Sequence, residues 1–130
     1  MSIELTYLVW SAALALVYLF VQSTFYRVDY GVDYANSQRD ENVPPPSKLN
    51  ARAQKALANF LETYAVFVAL AIATEVSGRS DGLTQWGVHL WFWARCAYLP
   101  AYFIDVKQLR SMIWVVSLIG LILMFVGVAF

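Results

Sequence analysis

Arg52, Lys55, Asn59 and Glu62 follow one another at steps of three, four and three residues, a spacing that stacks side chains along one flank of an α-helix. A second polar group, Arg95, Tyr98 and Tyr102, repeats the pattern, and Arg110 follows it beyond a short polar turn. Ionisable groups at membrane depth are costly, face a protein interior or a water-filled cavity, and are functional candidates. Here Arg52, Lys55 and Arg95 outnumber Glu62, a surplus of positive charge that suits an anionic ligand. Plainer roles stand beside this one. Arg52 and Lys55 can run their stems to the interface from a helix end, and a Glu62–Arg95 ion pair can simply fix helix packing. Tyr98 and Tyr102 can pack as interfacial aromatics, and Arg110 can be an ordinary membrane-flanking charge.

The elements that must position these residues are apolar helices. The chain has 130 residues, 60% hydrophobic and 14% charged, with a mean hydropathy of +0.55. Soluble domains carry about 45–50% apolar and about 25% charged residues. Spans of about 20 apolar residues each would use most of the length and leave no room for a second domain. The expected organisation is all-α, an integral membrane four-helix bundle in one domain covering 1–130, with helices at about 3–25, 49–76, 84–104 and 109–130. The N-terminal apolar run lacks a basic leader and a small-residue cleavage pattern, so it reads as a retained first helix. Residues 26–48 carry Gly31, acidic residues and Pro44-Pro45-Pro46, whose fixed φ and missing donors make a loop. Ser47 and Asn50 are the N-cap candidates for the second helix. Asp105 to Leu109 form a tight polar turn before the fourth, whose stretch 112–130 has only Trp114 and Ser117 as polar side chains.

Nine basic and nine acidic residues give a formal net charge of zero, which offers no basis for binding nucleic acid. The distribution of charge is more informative. Arg27, Arg39, Lys48, Lys107 and Arg110, with Arg52 and Lys55, fall on the side of the first and third loops, against Arg79 on the other. Basic loops stay in the cytoplasm, so both termini are expected outside it. The single Cys96 forms no disulfide framework or metal pair. His89 lacks a partner at ligand spacing, so no metal is expected. Trp86, Trp91 and Trp93 read as lipid-facing or belt residues, and Gly120 and Gly127 as a helix contact.

The segment from Arg52 through Asn59 to Glu62 resembles the helix-two signature of the MAPEG family, the membrane-associated proteins of eicosanoid and glutathione metabolism. Arg95, Tyr98 and Tyr102 resemble its helix-three signature, and Arg110 falls close to its catalytic arginine. The resemblance in layout covers the whole chain and is nearest to the small bacterial members, which implies an inner-membrane location. It implies a homotrimer of four-helix subunits, with glutathione as co-substrate bound between neighbours and open to the cytoplasmic side. A lipophilic second substrate would arrive through the bilayer. On this resemblance Arg52, Lys55 and Arg95 take the glutathione carboxylates, Glu62 takes its ammonium, and Asn59, Tyr98 and Tyr102 add neutral hydrogen bonds. Arg110 would hold the sulfur as thiolate, the form that attacks an electrophile.

The sequence departs from the family pattern at two positions. Lys55 stands where relatives often have Arg, without that residue's planar fork, and Ala58 stands where some have another Arg. Arg27 is the local candidate for an arginine that the first helix contributes in some relatives. The departures favour one competing reading, a non-catalytic protein of the same fold. The other, a small multidrug transporter, would want an uncompensated acid, whereas Glu62 has basic company.

Overall fold

The computed structural model describes residues 1–106 and 108–130. Lys107, counted above with the third-loop charges, lies outside the described residues. All regular structure among the described residues is helical, in the order α1 (Ile3–Tyr30), α2 (Val32–Ala35), α3 (Lys48–Ser77), α4 (Gly82–Phe103) and α5 (Leu109–Ala129).

Local chemistry sets the helix ends. The Ser2 and Ser47 hydroxyls accept from the backbone N–H groups of Leu5 and Asn50, satisfying donors that a helix N-terminus leaves orphaned. Asp81 and Thr84 form a reciprocal capping box at the start of α4. Gly31 and Gly78 close α1 and α3 with φ of 87° and 69°, conformations that glycine adopts without a Cβ clash. Asn50, the alternative cap for α3, is a buried residue inside it.

The sequence expectation is corrected at two places. The first helix continues past residue 25 to Tyr30. Tyr26 and Tyr30 pack edge to face along it, and Asp29 accepts from the Ser47 backbone and the Asn50 side chain, tying the end of α1 to the start of α3. The segment expected as continuous loop also contains the short α2. Among the described residues the structure therefore has five helices where four were expected. Three of them, α1, α3 and α5, are long and apolar enough to cross a membrane among the described residues; α4, which carries Gln85, His89 and Arg95, is not one of them.

The core lies between α1, α3, α4 and α5, built around Tyr18, Phe60, Phe67, Trp91 and Met124. The rings of Phe67 and Trp91 stack at 3.9 Å. Trp91 is therefore a core residue, while Trp86 and Trp93 are exposed: Val88, Trp91, Arg95 and Tyr98 fall on the inward flank of α4, and the other two tryptophans do not. Glycine permits close approach of α4 and α5. A Cβ on Gly120 would lie 2.7 Å from both the Gly87 carbonyl oxygen and the Trp91 nitrogen.

Candidate functional site

Connectivity brings the end of α1, the start of α3, the end of α4 and the start of α5 to one end of the molecule. Arg52 of α3 forms an ion pair with Asp105, and its Nη1 donates to the Phe103 carbonyl at 3.4 Å. Lys48 pairs with the same carboxylate at 3.4 Å. The opposite end is held by Ser2 donating to Glu75, by Ser80 and Thr84 donating to the buried Glu4, and by Arg79 donating to the Val128 carbonyl. The bundle thus gathers most of its basic residues at one end.

At that end a polar crevice of about 400 Å³ opens between α3, the turn after α4, and α5. Arg52, Tyr102, Asp105 and Arg110 are among its walls. Arg110 is exposed yet held in place, because its Nη1 donates to the Tyr98 hydroxyl at 3.1 Å and its guanidinium lies 5.1 Å from the centre of the Tyr102 ring. Tyr98 is fully buried and meets Tyr102 edge to face. Two tyrosines one helical turn apart on α4 therefore brace an arginine of α5. Across the crevice, hydrogen bonding from the Arg52 guanidinium holds the Asp105 carboxyl below the usual carboxylate range.

The remaining expected site residues lie elsewhere. Arg95 is 1% exposed, its Nη1 donating to Asn59 at 2.7 Å and its Nη2 to Thr63 at 3.0 Å. Its Nε is buried without a partner. The Glu62–Arg95 ion pair weighed as the plainer alternative is absent among the described residues, because Asn59 and Thr63 take the guanidinium and Glu62 faces outward. Lys55 and Glu62 are both exposed. Helical geometry explains the division. At about 100° per residue, Arg52 and Asn59 point nearly the same way, whereas Lys55 and Glu62 sit roughly 60–80° round the helix from Arg52. The single stripe read from spacing is two neighbouring stripes, one turned into the bundle and one out of it.

Sequence reasoning missed Asp105 and Thr63. Asp105 had a readable signal, an acid in an otherwise basic loop. Thr63 had none, since it becomes a partner only through the packing of α3 against α4. Arg27 bonds to Ser23 on its own helix. His89 bonds through Nδ1 to the Tyr7 hydroxyl at 2.5 Å, and Cys96 is half-buried. No group of His, Cys, Asp and Glu able to hold a metal occurs among the described residues.

An all-α chain with three span-capable helices among its described residues is an integral membrane protein, and this one carries a charged crevice at one end of its bundle. The model of the MAPEG family matches residues 7–130, and the chain belongs to that family. No curated protein and no solved structure matches the chain.

Proposed function

We propose that this chain is a glutathione transferase or peroxidase of the membrane, acting on lipophilic electrophiles. The observation that carries the reading is the pair of arginines on the walls of one crevice, Arg52 beside a carboxylate and Arg110 braced by Tyr98 and Tyr102. Glutathione needs cations for its carboxylates and a positive charge near its sulfur. Arg52 takes a carboxylate, and Arg110, which cannot lose its own proton, stabilises the thiolate that attacks the electrophile. The apolar surroundings admit a co-substrate dissolved in the bilayer.

The working unit in this reading is a homotrimer of subunits in which α4 also crosses the bilayer. The exposed flank of α3 supports assembly. Lys55, Ala58, Glu62, Ala65, Ala69 and Ile72 follow one another at steps of three and four, all exposed. Two charges facing lipid would be unfavourable, and the small residues along the same flank let helices from neighbouring copies approach closely. Lys55 and Glu62 would then reach glutathione only from a neighbouring copy. Arg95 and Asn59 would shape the site from behind, through the packing of α3 on α4. The basic end faces the cytoplasm, leaving both termini outside it, in a bacterial inner membrane.

The Arg95–Asn59 bond favours one alternative, because it commits two expected ligand groups to packing: the chain could keep the family fold without catalysis. Calorimetric titration of the detergent-purified protein with glutathione and S-methylglutathione, alongside turnover of an aryl-halide electrophile, separates the readings. The transferase reading expects both ligands to bind and glutathione alone to be consumed. Binding without turnover supports the non-catalytic alternative, and no binding removes glutathione from the account.

A further inference from the structure

The crevice contains an acid that the resemblance did not supply. Asp105 lies in the turn between α4 and α5, with its side chain 69% exposed, against 22% for Arg52. One carboxylate oxygen meets Arg52 and the other meets Lys48. The turn is fixed at its start, since Arg52 also donates to the carbonyl of Phe103. An acid and a base are therefore held side by side at an open wall of the crevice that contains Arg110.

An amino acid end group carries an ammonium and a carboxylate on one carbon, so its receptor needs an anion and a cation next to each other. We propose that Asp105 receives the ammonium of the ligand while Arg52 takes the adjacent carboxylate, so that this crevice selects thiol peptides with a free amino acid end. This proposal rests on the glutathione reading of the site and names the residue that gives it specificity. Glu62, the acid expected for that role, is on the outward flank of α3 and does not line the crevice of its own subunit.

Donor and acceptor capacity allow both contacts at once. A guanidinium has five N–H donors, and Arg52 spends one on Asp105 and one on Phe103. A carboxylate has about four lone-pair sites, and Asp105 uses two. Charge also matches. Among the described residues Arg52, Lys48 and Arg110 less Asp105 leave two positive charges, and glutathione with two carboxylates, one ammonium and a thiolate carries two negative ones. If Asp105 acted instead as a stand-in that a ligand carboxylate must displace, removing it would tighten every anionic ligand alike. The two roles therefore differ in a measurable way.

The test is calorimetric titration of the full detergent-purified protein with glutathione and with its deaminated analogue, glutaryl-cysteinyl-glycine. The natural chain should prefer glutathione by roughly five-fold, the scale of an exposed ion pair. Asp105→Asn should abolish that preference, and Asp105→Glu should keep most of it. A preference that survives Asp105→Asn overturns the assignment, as does equal tightening of both ligands by Asp105→Asn. If the natural chain binds both ligands equally, the acceptor role fails and the glutathione reading stands. If it binds neither, the glutathione reading fails and takes this assignment with it.

Discussion

Replacing Arg110 with Ala removes a cation that the crevice holds against two tyrosines. A thiol with a pKa of about 8.5 is only ~3% ionised at pH 7. A charge about 4 Å from sulfur is worth about 1 kcal/mol in water-like surroundings and about 4 kcal/mol at an effective dielectric near 20. At about 1.36 kcal/mol per unit, that lowers the thiol pKa by roughly 0.7 to 3 units. Arg110 is exposed, which argues for the low end, while its fixed position argues for the high one. A shift of about two units brings the pKa to about 6.5, where roughly three quarters of the thiol is ionised at pH 7. Arg110→Ala should therefore reduce the ultraviolet thiolate absorbance of bound glutathione by about 25-fold at pH 7. The rate should respond less through ionisation alone. A less basic thiolate is a weaker nucleophile, with a Brønsted coefficient of about 0.4–0.5, which offsets all but about three-fold of the change. A larger rate loss with an aryl halide would mean that Arg110 also stabilises charge in the transition state. Tyr98→Phe keeps the charge but removes its brace and should fall between. If Arg110→Ala keeps both the thiolate signal and the rate, the reasoning is wrong.

Four further outcomes follow from the same geometry. Gly120→Leu should lower the melting temperature in detergent, with a cost of about 1–3 kcal/mol or more, because the added carbon meets backbone of α4 that cannot rotate away; unchanged melting would refute the close contact. Asn59→Ala should cost about 2–3 kcal/mol in ligand-free unfolding, since it strips a partner from the buried Arg95 guanidinium, and unaltered stability would return Asn59 to the ligand. The carboxyl of Asp105 is held below its ordinary range by Arg52, so the pair's contribution is complete above the ordinary carboxylate pKa of about 3.9 and lost as pH falls through the lower folded value. The preference for glutathione over its deaminated analogue should then stay flat from about pH 5 to 8, and a loss near pH 6 would contradict the assignment. A reporter fused to either terminus should be active only outside the cytoplasm, and cytoplasmic activity would invert the orientation.

What could be read from the sequence was what depends on neighbours in sequence. Ser47 caps α3 as its side chain suggests, and the Gly78 turn ends it with the left-handed residue that glycine permits. The end of α1 was misread because Arg27 and Asp29 are polar, although Asp29 is polar in order to hold Ser47 and Asn50 of the next helix. α2 follows Gly31 in a stretch with no sustained periodicity. At the site, spacing put Arg52, Lys55, Asn59 and Glu62 on one flank but could not tell which part of a broad flank turns inward. That depends on where α4 packs, and α4 supplies the Arg95 that captures Asn59 and Thr63. Asp105 and Arg52 are far apart in sequence, and their pairing is a product of the fold alone.

The central claim, that glutathione binds a trimeric assembly at this arginine-walled crevice, is tested most directly by native mass spectrometry of the detergent-purified protein with added glutathione. The account expects a trimer that carries bound glutathione and an Arg52→Gln variant that remains a trimer but carries little. A dominant monomer or dimer, or glutathione bound equally well by Arg52→Gln, would contradict it.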